Sequence, residues 1–236
     1  MKSIPGNNDV NIYIVISDWV DMSARKIPKN YRNVTGIAAS NKADGQAGFE
    51  STLERDFLTL IEFSQEVEAY KVQPVGIRWA DHANKKRCYF PDVLVYYTEE
   101  CGRSPFLFEV KYRSDLATNW NDYKPKFKAA LSFARLKDWR FKLITEVEIR
   151  TPLLKNARFL LPFRIQQSNS PEYLEMLTTK LRQLGKTSPS QLIATIYDEE
   201  WSQAKLLPSL WFLVASFQVG CDLAKPLNME SELWWR

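Results

Sequence analysis

The sequence predicts an α/β fold, a mixed-sheet core followed by a smaller and mostly helical domain. Three observations carry that expectation. From residue 49 to 149 the hydrophobic pattern runs helix, strand, strand, strand, helix, strand. From about residue 170 onward helical stripes dominate, punctuated by Ser-Pro starts and a Gly stop. The 236 residues are 45% hydrophobic and 25% charged, an ordinary globular balance with room for one large or two small domains.

Residues 1–48 read as an irregular N-terminal arm with a strand at 11–16 and turn signals at Pro5-Gly6, Gly36, Asp44-Gly45 and Gly48. A helix follows over 49–63, with Phe49, Leu53, Phe57, Leu60 and Ile61 on one stripe. Glu50 falls inside that apolar arc and Glu54 at its edge, where a carboxylate needs a partner or a metal. Strands are expected over 72–79, 87–97 and 106–112. In the third, the two-residue period turns Phe106, Phe108 and Val110 one way, and Leu107, Glu109 and Lys111 the other. A helix over 122–138 buries Tyr123, Phe127, Ala130, Leu131 and Ala134, with Pro125 tolerated in its first turn. A strand over 141–149 closes the core.

Residues 150–167, broken by Pro152 and Pro162, read as a connector. Ser170-Pro171 opens a helix whose stripe, Tyr173, Leu174, Leu177, Leu181 and Leu184, ends at Gly185. Ser188-Pro189 starts a second helix to about residue 197, and a third runs over 199–215, bending near Pro208. Residues 217–223 read as a small hairpin. Three helices and a hairpin suggest a winged-helix-like unit; a helical domain that merely packs on the first is the alternative. The expected boundaries are 1–48 for the arm, 49–165 for the α/β domain and 166–236 for the C-terminal domain.

Composition excludes several classes. No stretch approaches the ~18 apolar residues of a membrane span. The apolar run at 12–16 is shorter than a signal-peptide core of ~7–15 residues, so a cytoplasmic location is expected. Cys88, Cys101 and Cys221 are far apart without a CxxC, and His82 is the one histidine, in a turn-like polar stretch. A disulfide framework, a zinc finger and a Ser-His-Asp triad are all poorly served. The net charge is only +4, but residues 111–142 hold nine Lys/Arg against three Asp, interleaved with aromatics. Such a stretch suits a phosphate backbone, and equally a solvated amphipathic helix.

The chemistry concentrates in Pro91-Asp92, followed after sixteen residues by Glu109-Val110-Lys111. Two carboxylates and a lysine brought to one point are the minimum equipment for metal-assisted phosphodiester hydrolysis. The bland alternative is a solvated hairpin face with a Glu–Lys pair worth well under ~1 kcal/mol. Apolar neighbours at Tyr89, Phe90 and 106–108 favour an inner strand pair instead. Asp92, Glu109 and the Val110 carbonyl are the expected ligands for Mg²⁺ (or Mn²⁺), with Glu54 completing that site or helping to hold a second ion. Lys111 would face the attacking water and the phosphate. Gln73, before Pro74, orients water or phosphate or is an edge-strand polar residue; Arg113, Lys124 and Lys128 are the expected contacts to the nucleic-acid backbone.

Residues 49–57 around Glu54, Val72-Gln73-Pro74, Tyr89-Phe90-Pro91-Asp92 and 108–116 together resemble the TnsA endonuclease subunit of heteromeric cut-and-paste transposases. Residues 141–146, with Ile149, Arg150 and Asn156, extend the likeness, which spans about 30–160 well and the remainder more loosely. The resemblance implies a restriction-endonuclease-like core and catalytic roles at positions matching Glu54, Asp92 and Lys111. Some family members carry Gln at the position of Glu109. It further implies 5′-strand cleavage at transposon ends, a separate DDE-type transposase that cuts and joins the 3′ ends, and an AAA+ ATPase regulator. The rival readings are a stand-alone restriction, resolvase or repair nuclease, and a non-catalytic DNA-binding assembly adaptor.

Overall fold

The computed structural model describes residues 36–38, 40–80, 85–165 and 170–236. The expected strand at 11–16, the turn at Pro5-Gly6 and His82 lie outside these. The chain divides into two compact units, one up to Ile149 and one from Arg150 to Arg236.

In the first unit, β1 (Gly36–Ile37) and β2 (Gly48–Phe49) form a short antiparallel pair leading into α1 (Thr52–Phe63). The helix starts later than the expected 49 because Ser51 caps it, accepting a hydrogen bond from the Glu54 backbone N–H. Glu50 therefore precedes the helix instead of interrupting its apolar stripe, which Leu53, Phe57, Leu58 and Ile61 bury.

The strands are shorter and more numerous than expected. The single strand over 72–79 splits into β3 (Val67–Val72) and β4 (Ile77–Ala80). Gln73 breaks it with a left-handed φ of 45°, and Pro74 has no N–H for a ladder. The strand over 87–97 likewise splits into β5 (Lys86–Tyr89) and β6 (Val93–Tyr97) around Pro91. Strands β4 and β5 pair as a separate antiparallel ribbon. The main sheet has the order β3-β6-β7-β8, with β7 (Phe106–Val110) antiparallel to β6 and parallel to β8 (Arg140–Ile144).

Helix α2 (Arg113–Leu136) begins nine residues before the expected 122 and bends at Asn119, whose φ/ψ of −113°/20° is not helical. Ala129, Ala130 and Phe133 pack on Leu94, Leu107 and Ile77, the two small alanines letting helix and sheet approach closely. Leu131, expected inside, is exposed, because the buried arc runs through 127, 130 and 134. Strand β8 stops at Ile144, five residues short of the expected end. Thr145 and Glu148 close a capping box there, the Thr145 hydroxyl and N–H both donating to Glu148 Oε2 at 2.6 and 2.9 Å, and α3 (Glu146–Ile149) follows.

In the second unit the expected connector is a helix, α4 (Pro152–Ile165), burying Leu154, Ala157 and Leu160. Pro152 sits in its first position, where a missing N–H costs nothing. Asn156, also buried, holds the chain at 223–227 through three hydrogen bonds to backbone groups of Leu223, Lys225 and Leu227. Then come α5 (Pro171–Leu184), α6 (Pro189–Ala194) and α7 (Glu200–Ala215), close to the expected spans. The hairpin expected at 217–223 does not form. Strand β10 (Val219–Cys221) pairs instead with β11 (Leu233–Trp235), which also pairs with β9 (Lys186–Thr187). Gly220 serves close approach, not a turn: a Cβ there would lie 2.2 Å from the Trp234 indole nitrogen.

Candidate active site

The ends of β6 and β7 bring the sequence motif together. Pairing of Val93 with Phe108 sets Asp92, just ahead of β6, beside the last residues of β7. The Val110 N–H donates to Asp92 Oδ2 at 2.6 Å, so the strand itself fixes that carboxyl. Gln73 supports it from the other side, its backbone N–H donating to the Asp92 carbonyl at 2.8 Å. Glu109 shares the sheet face of Leu107, beneath α2, and its side chain is only 2% exposed. Lys111 follows β7 and folds its ammonium back among these groups. Its Nζ lies 3.0 Å from the Val110 carbonyl, 3.3 Å from Glu109 Oε1 and 3.5 Å from Asp92 Oδ2. Three oxygens of the expected ligand set thus already surround one cation.

Burial, and secondarily the charge of Glu109, pushes the Asp92 carboxyl up to about 8, with Lys111 and the Val110 N–H opposing. Burial disfavours the Lys111 ammonium, but Asp92 and Glu109 outweigh it and raise its pKa. The Tyr89 hydroxyl is raised by burial and by the same two carboxylates. Among the described residues, four buried side-chain polar atoms have no hydrogen-bond partner in the protein. Three belong here: Glu109 Oε2, Tyr89 Oη and Gln73 Oε1. Unsatisfied groups gathered in one place mark where a water, ion or substrate is received. Two carboxylates and a carbonyl, with a buried carboxylate oxygen to spare, fit a hard divalent cation such as Mg²⁺.

Glu54 stands differently. Its Oε1 accepts from the Ser51 hydroxyl at 2.9 Å and its Oε2 from the Glu50 N–H at 2.8 Å, so both oxygens serve the start of α1. Burial raises its pKa, while Lys111 lies near enough to act on it in the opposite sense. Among the described residues no three Asp, Glu, His or Cys side chains form a group that could hold a metal. The expected set of Glu54, Asp92, Glu109 and Val110 is therefore two carboxylates and a carbonyl gathered around Lys111, with Glu54 nearby and engaged elsewhere. The Gln73 amide donates to Glu50 Oε1 at 3.2 Å. On α2, Arg113 and Lys124 are exposed and Lys128 is half-buried.

A TnsA-like endonuclease N-terminal model matches residues 64–146, and a TnsA endonuclease C-terminal model matches residues 148–223. The chain belongs to the TnsA endonuclease family. The change from one match to the other falls within a few residues of the division between the two compact units. The mixed sheet flanked by helices is the restriction-endonuclease-like core of TnsA endonucleases, and it carries Asp92, Glu109 and Lys111 within the N-terminal match. Glu54 precedes that match. No curated protein sequence is a significant match to the chain. Among the described residues no helix is long and apolar enough to cross a membrane.

One residue of this TnsA-family site escapes a reading by motif. Lys126, on α2, places its Nζ 3.0 Å from Glu109 Oε1. Charge alone files it with Lys124 and Lys128 as a solvated cation. The signal was its spacing: Tyr123, Lys126, Phe127 and Ala130 stand at i, i+3, i+4 and i+7, which puts the lysine on the inward stripe.

Proposed function

We propose that this TnsA-family chain is the Mg²⁺-dependent subunit that cuts the 5′ strands at transposon ends, while a separate DDE-type transposase cuts and joins the 3′ ends. The observation that carries the nuclease chemistry is the meeting of Asp92, Glu109 and the Val110 carbonyl around the Lys111 ammonium; the choice of strand and the DDE partner follow from the family. Those three groups would hold the ion, with Glu54 adding negative charge from α1. A bound divalent ion supplies a water of lowered pKa and neutralises charge on the phosphate. Lys111, freed from the carboxylates, stabilises the attacking oxygen and the charge building on the phosphate. Water adds to phosphorus, the 3′ oxygen leaves with a proton, and the products are a 5′-phosphate and a 3′-hydroxyl. Asp92 is held in place by the Val110 N–H and by the Gln73 backbone, so the site needs little reorganisation.

Arg113, Lys124 and Lys128 on α2 hold the DNA backbone, and the spare Gln73 oxygen accepts from and orients a water. The second unit, helices with a three-stranded antiparallel sheet, supports a winged-helix-like reading, and is where an AAA+ ATPase regulator would dock. The test is cleavage of duplex DNA carrying a transposon end, by the chain with its DDE partner, with 5′- and 3′-strand products resolved separately. Mg²⁺-dependent 5′ cuts at the end, lost with EDTA, are expected. Equal cutting of DNA without an end, by the chain alone, would instead mark a stand-alone nuclease.

A further inference from the structure

Lys126 is a second half-buried lysine in the site, and the chemistry above does not use it. Its side chain is 18% exposed and meets Glu109 Oε1 at 3.0 Å. Aromatic faces surround it, with ring centroids of Tyr123, Phe127 and Tyr89 at 4.3, 5.1 and 5.3 Å from Nζ. Tyr123 is itself anchored, its hydroxyl donating to Asp115 Oδ2 at 2.9 Å. The lysine is thus a fixed charge, not a mobile one. The two oxygens of Glu109 are treated unequally: Oε1 receives Lys126 at 3.0 Å and Lys111 at 3.3 Å, while Oε2 is buried with no hydrogen-bond partner.

We propose that Lys126 is a positioning residue that pins Glu109 through Oε1 and leaves Oε2 as the open donor toward a divalent cation. Resting on the reading of Asp92 and Glu109 as metal ligands, this has two consequences of opposite sign. The lysine's charge opposes the incoming cation, so removing it makes the site more negative and tightens metal binding. Removing it also frees Glu109 to rotate, which slows cleavage because supporting groups orient metal ligands. A lysine that merely tethers α2 to the sheet gives no such split, since a loosened site binds metal less well and cuts more slowly.

The test is Mn²⁺ titration of the full chain by calorimetry, for wild type, Lys126→Met, Lys126→Gln and Asp92→Asn, with cleavage measured at saturating Mn²⁺. Lys126→Met should bind Mn²⁺ about tenfold more tightly, the scale of one unit charge acting on a divalent ion across several ångströms of a wet site. Its cleavage should fall by about tenfold or more. Lys126→Gln keeps an N–H donor for Glu109 and so protects the fold; it too should bind Mn²⁺ more tightly, with a smaller loss of cleavage. Unchanged or weaker Mn²⁺ binding in both lysine variants overturns the proposal. Asp92→Asn should lose Mn²⁺ binding; if it binds as wild type does, the ligand reading beneath the proposal fails instead.

Discussion

Glu54 both closes the cap of α1 and feels the charge of Lys111, so a single substitution mixes two effects. Ser51→Ala separates them. It should cost about 1 kcal/mol of stability through the lost cap while leaving cleavage within about twofold. Glu54→Ala should cost a similar amount and also slow 5′ cleavage by about 10–100-fold. Thermal melts and strand-resolved cleavage of both variants check this; equal cleavage would leave Glu54 with the cap alone. Asp92 gives a pH test in the metal-free protein. Its carboxyl is raised to about 8 from 3.8, so between these values the folded chain keeps a proton that the unfolded chain has lost. Its contribution to stability therefore falls as pH rises across that window. Melting of wild type relative to Asp92→Asn should decline from pH 5 to 8 and flatten above; a rise would contradict the burial of that carboxyl. Asp92, Glu109 and Lys111 were legible in the sequence because a Pro-Asp and an alternating Glu-x-Lys announce themselves. Lys126 was legible only through its spacing on the inward stripe of α2, a signal that its charge masks.

At the scale of elements, β7 organises the core: it is flanked by β6 and β8, covered by α2, and ends in the motif. The order of helices and strands was readable from hydrophobic period, and the Ser-Pro starts placed α5 and α6 well. Breaks were harder. The φ of Gln73 and the interruption at Pro91 split two expected strands, and the capping box of Thr145 with Glu148 turned a strand end into α3. Prolines misled in the other direction at α4, where Pro152 begins a helix whose stripe, Leu154, Ala157 and Leu160, was present all along. The hairpin expected over 217–223 fails because what Gly220 accommodates, the Trp234 ring, comes from a strand later in the chain. Gly220→Ala should lower stability by about 1–3 kcal/mol through overpacking, and a smaller residue at Trp234 should recover part of that loss. Denaturant melts of the single and double variants measure it; an additive loss would place the strain elsewhere.

Over the whole molecule, a net charge of only +4 means that attraction of the proposed DNA substrate would fall to local clusters, such as Arg113, Lys124 and Lys128 on α2. Replacing Arg113, Lys124 and Lys128 together with Ala should weaken binding to any duplex and flatten the slope of log K against log salt. The flattening should reach up to about three units, ~0.9 for each phosphate that is no longer neutralised. An unchanged slope in a fluorescence titration would remove α2 from the DNA interface. The family match places these residues in an endonuclease, while the proposed division of labour between strands rests on the resemblance to TnsA subunits. The most direct measurement is therefore strand-resolved cleavage of transposon-end DNA by the partner transposase together with wild type, Asp92→Ala or Lys111→Ala. Both variants should lose the 5′ cut by at least about 10³-fold and leave the partner's 3′ cut largely intact. Wild-type 5′ cleavage by both variants would contradict the assignment of catalysis to Asp92 and Lys111.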